Sequence, residues 1–393
     1  MQIILFEDKK WSRFLPLVFT RPVGDLLIGI QKISEKYAAI FNAKVYHETR
    51  VYLHELFPVA QEVESLHINA RLIPDEKVVS AILSLKNHES LMHNDVMLAH
   101  RSVKYSEVST QVKYDGEPLL LTGITDIFAM NGTALKMDFD RIRKGRTSAP
   151  LHDTNVLIGD PSQLYIAPNA KVYATSINVN DGPVFIDEHA EVMEGSHIRG
   201  PFYLGEYSTI KMGSKVYGPT SIGPHSEFGG EISNCVVHGF SNKAHDGFIG
   251  NSVIGEWCNL GADTNTSNLK NNYSQVRVWS YAENQFTDTG LTFCGLIMGD
   301  HSKCGINTMF NTGTVAGVCA NIFGAGFPIK HIPSFTWGGG EDFEEYHFSK
   351  AIETIRLVMA RRDTQLSAEN INVLKRVFDD SHVHRLIATQ SQE

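Results

Sequence analysis

Aliphatic residues recur at every sixth position through the middle of the chain. Small or turn-forming residues follow many of them, as in "LGEYST" and "IGPHSE". A period of six differs from the 3.6-residue repeat of a helix and from the two-residue alternation of a strand. It predicts a solenoid in which each six-residue side contributes one inward aliphatic and a turn, with three sides per coil. The series is Ile186, Val192, Ile198, Leu204, Ile210, Val216, Ile222 and Phe228.

The six-residue spacing is interrupted twice. After "GGEISNCVVHGFSNK" it returns at Phe248, Ile254 and Leu260. The second interruption, "ADTNTSNLKNNYSQ", predicts a loop that leaves the coil. Insertions in solenoids often collect on one face and carry binding, so this loop is a candidate binding element; the alternative is an ordinary solvated loop. A weaker series then follows: Met298, Cys304, Phe310, Ala316 and Ile322.

The two flanks of the solenoid have different patterns. "IILF" predicts a short buried strand and "EKVVSAILSLKN" a helix, so residues 1–145 are expected to form an α/β domain. The basic, turn-rich "RKGRTSAP" predicts a hinge before a solenoid over residues 150–338. Residues 339–393 contain two amphipathic segments and predict a short helical tail packed across a solenoid end or a neighbouring subunit.

Composition narrows the possible partners and compartments. A formal net charge of -9 argues against nucleic acid or an anionic membrane as the main partner. The five cysteines form no C-x-x-C pair, which favours free thiols in a reducing cytoplasm over disulfides or zinc. No apolar run is long enough to cross a membrane, and the N-terminus has no targeting pattern. We therefore expect a cytoplasmic protein.

The stretch "GFSNKAHDGFIGNSVIGEWCNLGADTNTSNLKNNY" resembles a known enzyme family. It is similar to the bifunctional bacterial glucosamine-1-phosphate N-acetyltransferase/N-acetylglucosamine-1-phosphate uridylyltransferases, and more closely to their alternative Bacteroidetes-type subfamily with a C-terminal hexapeptide-repeat domain. The resemblance implies a left-handed parallel β-helix, a homotrimer, and acetyl-CoA as cosubstrate. It also implies a nucleotidyltransferase-like fold for the α/β domain.

The resemblance assigns roles to individual residues. His245 would be the general base, which suits an imidazole with a pKa of about 6.5. Asn259 and Asn268 would orient substrate groups, and Lys211 would contact the sugar phosphate. Phe248 stands where the family has a sugar-stacking tyrosine. Alternatives stay open: turn asparagines, a solvated lysine, and a core position for Phe248 on the six-step series.

Acetyl-CoA is anionic and needs basic or backbone donor groups. The sequence offers Lys330 in "GFPIKHIPSF", together with the region of Thr308 and Gly324. The family's second substrate lysine has no counterpart, because "FGGEIS" occupies that region.

The family's nucleotide-binding signature is only partly present after the first strand. The signature is G-x-G-x-R-x-x-P-L-T-x-x-x-P-K, and the chain reads "KKWSRFLPLVFTRPV". Lys9 and Trp11 replace the two glycines. Either the loop is rebuilt, with Lys9, Arg13 and Arg21 supplying the positive charge for nucleotide phosphates, or the domain no longer transfers nucleotides. Asp95, or alternatively Asp126, is the candidate Mg²⁺ ligand.

Two enzymatic functions are therefore compared, beside a non-enzymatic alternative in which both halves form an assembly module. The first is acetyl transfer from acetyl-CoA to an amino-sugar 1-phosphate, glucosamine 1-phosphate by the resemblance, coupled to nucleotidyl transfer from UTP that gives UDP-N-acetylglucosamine. The alternative is a uridylyl- or thymidylyltransferase whose β-helix serves as an oligomerisation or regulatory scaffold.

Overall fold

The structure is a computed structural model that describes residues 2–340 and 343–390, without the side chains of residues 105 and 387–390. Within these ranges no helix is long and apolar enough to cross a membrane. The chain forms an N-terminal α/β region, a long parallel β-solenoid and a helical tail. This architecture confirms the fold class that the hydrophobic pattern and the resemblance predicted.

The N-terminal region contains one six-stranded mixed sheet. The strands of the region, including two outside this sheet, are β1 Gln2–Phe6, β2 Leu27–Ile28, β3 Gln31–Lys32, β4 Val45–Glu48, β5 Ser65–Asn69, β6 Glu89–His93, β7 Val96–Ser102 and β8 Thr110–Lys113. Its helices are α1 Ile33–Phe41, α2 Glu76–Leu83, α3 Asp126–Ala129 and α4 Asn131–Arg143. The sheet order is β4-β1-β5-β7-β6-β8, with β1 parallel to β4 and β5, while β2 and β3 form a separate pair. The strand and helix predicted from "IILF" and "EKVVSAILSLKN" are both present.

The solenoid is built from short parallel strands. They are β9 Val156–Ile158, β10 Leu164–Ile166, β11 Lys171–Val172, β12 Ser176–Asn178, β13 Val184–Ile186, β14 Glu191–Val192, β15 His197–Arg199, β16 Phe202–Leu204, β17 Thr209–Ile210, β18 Lys215–Tyr217, β19 Thr220–Ile222, β20 Glu227–Phe228, β21 Glu231–Gly239 and β22 Asn242–Lys243. Its later strands are β23 Phe248–Glu256, β24 Asn259–Leu260, β25 Asn265–Thr266, β28 Ile297–Met298, β29 Lys303–Cys304, β30 Met309–Phe310, β31 Val315–Ala316, β32 Asn321–Ile322, β33 His331–Ile332 and β34 Thr336–Gly338. Three further strands pair antiparallel: β26 Arg277–Ser280 with β27 Gln285–Asp288, and β35 Phe343–Glu345 with β34.

These strands stack into three parallel ladders, one for each side of the coil. The first ladder runs from β10 through β13, β16 and β19 to β33, the second from β11 to β34, and the third from β9 through β18. Strands β21 and β23 bend, so that each contributes to the third ladder and then to the first. Every residue of the series Ile186–Phe228 is at most 2% exposed, so the six-residue period is confirmed as the inward repeat.

The repeat changes phase before β23. Ile249, which pairs with Ile232, is fully buried, whereas Phe248 pairs with Glu231 and is partly exposed. The core interpretation of Phe248 is therefore wrong. The physical reason is the coil between Glu231 and Phe248, which is one residue short of three full six-residue sides.

The polar insertion leaves the coil later than the sequence indicated. Strand β25 still belongs to the solenoid, where it pairs with β30. The excursion begins at Asn268, whose carbonyl accepts a hydrogen bond from the Cys294 amide at 2.9 Å where the chain returns. Between these points β26 and β27 form an antiparallel hairpin. The insertion is thus an ordered arm with its own secondary structure.

The C-terminal helices bridge the end of the solenoid and the N-terminal region. They are α5 Phe348–Ala360, α6 Ala368–Asp380 and α7 His382–Gln390. Phe335 of the last coil packs against Phe348 and Phe378, and Asn372 donates to Glu55 at 3.0 Å. The predicted helical tail is confirmed, and it covers a solenoid end.

One apolar cluster is shared by all three parts of the chain. Val236, Val253 and Ile297 lie in the first ladder and belong to the same buried cluster as Leu5 of β1 and Ile352 of α5. The inward residues of the solenoid form a second, separate cluster. The first ladder therefore has a core on both of its faces.

A buried ion cluster joins the N-terminal region to the solenoid. The Arg21 guanidinium lies 2.8 Å from Glu256, 2.5 Å from Asp300 and 3.5 Å from Asp25, and Lys32 completes the cluster. Burial alone would lower the pKa of Arg21, but the three carboxylates raise it well above its ordinary value. Burial likewise opposes ionisation of Glu256, yet Arg21 and Lys32 hold its pKa below the usual range.

Removing the cation at the centre of this cluster should destabilise the whole chain. We expect Arg21→Met to lower the free energy of unfolding by about 3–5 kcal/mol, because it leaves buried carboxylates without a partner. Urea unfolding measures the change. Arg376→Met is the matched control, since it breaks an exposed helical ion pair with Asp380 and should leave stability unchanged. Equal stability of the two variants would contradict this account.

Candidate active site

His245 lies in the turn between β22 and β23, and its side chain is exposed. The turn is attached to neighbouring coils through its backbone. The Asp246 carbonyl accepts from the Asp263 amide at 3.1 Å, and the Gly247 carbonyl accepts from the Glu231 amide at 3.1 Å. An imidazole on a fixed, solvent-accessible turn can reach a substrate without rearranging the fold.

Lys211 occupies the same corner of the solenoid as His245. It directly follows β17, just as Gly229 follows β20 and Ala244 follows β22. A side-chain carbon on Gly229 would lie 3.2 Å from Cβ of Lys211 and 2.4 Å from the Ala244 carbonyl oxygen. Gly229 is thus the spacer that lets the lysine and the histidine turn approach each other.

Lys211 shares a carboxylate with a residue of the tail. Its ammonium lies 2.6 Å from Glu227, and Arg362, just after α5, lies 2.8 Å from the other oxygen of that carboxylate. Burial alone would raise the pKa of Glu227, but Lys211 and Arg362 together hold it below the ordinary value. The sequence did not indicate Arg362, because nothing in a helical tail predicts which coil it will touch.

Phe248 and Asn268 meet beside Gly250, on the side of the coil that follows the His245 turn. The Asn268 amide donates to Oδ1 of Asn251 at 2.8 Å. A side-chain carbon on Gly250 would lie 2.5 Å from the Phe248 ring and 2.7 Å from Nδ2 of Asn268. The aromatic ring and the amide therefore flank a backbone position that is kept open by glycine.

Asn259 lies two coils beyond Glu227, on the side of the coil that leads into the corner of Lys211 and His245. It belongs to the second ladder, where its Oδ1 accepts a hydrogen bond from Asn242 at 2.9 Å. The structure thus groups His245 with Lys211, groups Phe248 with Asn268, and has Asn259 in the second ladder, on the side that leads into the His245 corner.

The residues considered for acetyl-CoA occupy the later coils. Thr308 is buried, and its hydroxyl donates to the Gly305 carbonyl at 2.8 Å. Gly324 lies in an exposed loop with a left-handed φ of 134°. Lys330 donates to the Arg277 carbonyl at 3.2 Å, and burial followed by the charge of Lys270 lowers the pKa of Lys330. Lys270 and Arg277 lie on the arm and make this a basic patch that the sequence analysis missed.

The segment after β1, which aligns with the glycine-containing family signature, buries several apolar side chains. Lys9–Phe14 form a short 3-10 helix capped by Asp8, and Phe14, Leu17 and Val18 are buried. Lys9 is exposed, and Arg13 is half-exposed at 3.9 Å from Glu283 of the arm. Arg21 lies apart from these two, in the buried ion cluster.

Two arginines that the sequence analysis missed lie at the carboxyl edge of the parallel strands. Arg50 donates to both oxygens of Glu7 at 2.8 Å, and Arg71 pairs with Asp8. Arg50 also donates to the Arg21 carbonyl at 2.7 Å. These contacts hold the segment after β1 in place and neutralise the acidic groups of the edge.

The candidate metal ligands do not converge. Asp95 lies in the exposed turn between β6 and β7, and Asp126 accepts hydrogen bonds from the Thr122 amide and hydroxyl. In the part of the chain that the structure describes, no group of three His, Cys, Asp or Glu residues is arranged to hold a metal ion. The edge carboxylates Glu7 and Asp8 are paired with arginines, so the residues present do not fit a Mg²⁺ site.

Comparison with known proteins relates the N-terminal region to sugar nucleotidyl transferases, whose family model matches residues 3–147. A bifunctional sugar-1-phosphate nucleotidylyltransferase/acetyltransferase of Sulfurisphaera tokodaii is 33% identical over 144 residues, 36% of this chain and 35% of that protein. The bifunctional protein GlmU of Methanocaldococcus jannaschii is 32% identical over 87 residues, 22% of this chain and 21% of that protein. The chain thus spans about a third of the length of the first relative and less of the second.

Among solved structures, a UDP-N-acetylglucosamine acyltransferase of Arabidopsis covers 63% of this chain and 93% of its own, with 13% identity and a TM-score of 0.21. A superposition of that quality adds nothing to the fold described above. The resemblance that the sequence indicated is supported over the N-terminal region by the family match.

The open backbone position at Gly250 should be needed for activity. We expect Gly250→Ala to lower kcat/KM for the acceptor roughly tenfold, because the added methyl would displace the Phe248 ring and the Asn268 amide. Steady-state kinetics and circular dichroism measure activity and folding. Gly123→Ala is the control, since a side-chain carbon there meets nothing within 4 Å. A fully active Gly250→Ala enzyme would show that this pair does not contact substrate.

Proposed function

We propose that the chain transfers the acetyl group of acetyl-CoA to the amine of an amino-sugar 1-phosphate, glucosamine 1-phosphate in the first instance. The observation that carries the proposal is the common corner of His245 and Lys211. A proton acceptor and a cation would meet at this corner from two coils that have only the coil of Gly229 between them. An amino-sugar phosphate offers an amine for the first and a phosphate for the second.

The chemistry needs one group that removes a proton. The acceptor is mostly an ammonium near neutral pH, and its nitrogen attacks the thioester carbon only after losing a proton. His245 takes that proton and the C–N bond forms; as the C–S bond breaks, the nitrogen loses a second proton, which passes to the departing CoA thiolate, and His245 later returns its own proton to solvent. Asn268 is placed to orient the acceptor next to the Phe248 ring.

The phosphate would bind between two cations. Lys211 and Arg362 already face one carboxylate, that of Glu227. A phosphate that approaches this corner would compete with Glu227 for both cations and would bind most strongly to the planar guanidinium. Arg362 is therefore added to the proposed acceptor site.

The remaining assignments belong to the same proposal. Lys330 with Lys270 and Arg277 would bind the anionic cosubstrate. The homotrimer implied by the resemblance is part of the same proposal. Five free, buried cysteines support a cytoplasmic location. We also propose residues 1–145, 150–338 and 339–393 as the three units.

Loss of the proposed base should nearly abolish acetyl transfer. We expect His245→Ala to lower kcat by roughly 10²–10⁴-fold, the usual contribution of a general base. The assay follows CoA release from acetyl-CoA with glucosamine 1-phosphate. His152→Ala, an exposed histidine before the first coils, serves as the control. Wild-type turnover by His245→Ala would exclude this mechanism, and an inactive wild-type protein would favour the scaffold alternative.

A second candidate function is nucleotidyl transfer in the N-terminal region. The family match over residues 3–147 favours it, as does the position of Lys9 and Arg13 directly after β1. The buried apolar segment at Phe14–Val18 differs from an open phosphate loop. Any nucleotide would therefore bind on the outer, basic side of this segment.

Arg13 provides the test of this second function. We expect the full-length protein to release pyrophosphate from UTP, with magnesium in the assay, and N-acetylglucosamine 1-phosphate. Arg13→Ala should lower that rate roughly tenfold through loss of a phosphate contact. Arg199→Ala, an exposed arginine of the solenoid, is the control. Absence of pyrophosphate release by the wild-type protein would remove nucleotidyl transfer with these substrates from the proposal.

A further inference from the structure

Lys243 lies inside the solenoid at a position that neighbouring coils fill with apolar residues. It is fully buried and pairs with Phe228 in the second ladder. The next coils place Leu260 and Cys304 in the same column. A buried ammonium lowers stability unless its donors are satisfied. The repeat is therefore broken at this position of the column, in the strand that leads into the His245 turn.

The partners of this ammonium are backbone carbonyl oxygens of that turn. Nζ of Lys243 lies 2.9 Å from the carbonyl of His245, 3.1 Å from that of Asp246 and 3.1 Å from that of Gly247. A fourth carbonyl, of Gly229, lies at 3.4 Å. Gly229 lies between Lys211 and Ala244 at this corner. The Lys243 ammonium therefore contacts two successive coils, that of Gly229 and that of the His245 turn.

Peptide geometry then determines what the turn presents on its outer side. In a trans peptide the carbonyl and the following N–H point in opposite directions. Carbonyls of His245 and Asp246 that face Lys243 turn the N–H groups of Asp246 and Gly247 away from the interior. Within the described residues neither N–H has a hydrogen-bond partner, whereas the Phe248 N–H donates to Asn265 at 2.8 Å. Two adjacent N–H donors beside a base suit a developing oxyanion.

We propose that Lys243 is a positioning residue for acetyl transfer, whose ammonium holds the His245–Gly247 turn from inside the solenoid. The imidazole and the two N–H groups are thereby presented together to the thioester carbonyl. The inference rests on the proposed function for its role in catalysis, but not for the geometry of the turn.

Titration of Lys243 gives the proposal a second readout. Burial lowers the pKa of Lys243 to about 8, against the attraction of Asp246; Asp263, Cys235 and Cys304 also face it. Loss of the proton as the pH rises through about 8 should weaken the hydrogen bonds from the Lys243 ammonium to the carbonyls of the turn. Stability should increase in the same window, because the unfolded chain binds more protons there. A fall in activity above pH 8 would then not reflect unfolding.

The direct test compares Lys243→Met with Leu204→Met. Leu204 is another fully buried inward residue, so its replacement controls for methionine in the interior. For Lys243→Met we expect kcat to fall roughly 10- to 100-fold, KM for acetyl-CoA to stay within about threefold, and the alkaline decrease to disappear. Leu204→Met should keep the wild-type kcat and alkaline decrease. A Lys243→Met enzyme with wild-type kcat and pH profile overturns the proposal.

Hydrogen exchange in the wild-type protein tests the geometry alone and applies even if Lys243→Met fails to fold. The amides of Asp263 and Glu231 donate to the carbonyls of Asp246 and Gly247. Their protection, corrected for intrinsic rates, should fall severalfold between pH 7 and pH 9, while that of Thr209 stays constant. Unchanged protection overturns the proposal. An inactive wild-type protein with pH-sensitive protection would instead reject acetyl transfer and retain the role of Lys243 in the turn.

Discussion

Every side of every coil must bury one inward side chain, and this requirement organises the molecule. Because inward positions are reserved for packing, polar side chains that meet a substrate are confined to corners and outer faces. The repeat then superimposes corners that are distant in sequence. Lys211 and His245 approach each other for this reason, with Gly229 as the layer between them. The corner of Lys211 and His245 is thus a product of stacking, to which the arm adds Asn268 and the tail adds Arg362.

Electrostatic contacts attach the other two parts of the chain to this scaffold. Arg21 of the N-terminal region pairs with Glu256 and Asp300 of the solenoid, and Arg362 of the tail pairs with Glu227. The two contacts differ in burial: the Arg21 side chain is 5% exposed and that of Arg362 is 33% exposed. The first contact therefore belongs to the stability of the fold, whereas the second is open to competition from a charged ligand.

The solenoid was predictable because its signal is one-dimensional: a fixed period needs no knowledge of distant contacts. The change of phase that exposes Phe248 was not predictable from the sequence. It arises because the coil between Glu231 and Phe248 is one residue short, and only the pairing between strands reveals this. Lys243 was visible in the sequence as a charge next to His245, but its inward direction depends on which residue Phe228 pairs with. Arg21 lies inside the segment that aligns with a phosphate-binding signature, and only the fold shows that it pairs with Glu256 and Asp300, more than two hundred residues away.

The apolar cluster shared by β1, the first ladder and α5 has a consequence for how such chains can diverge. Val236 and Val253 project from the outer face of the ladder, and would meet water if the N-terminal region were absent. Replacing that region with an unrelated domain would require the new domain to present a matching apolar surface. Substitutions on either side of this cluster are therefore constrained by the side chains that face them across it.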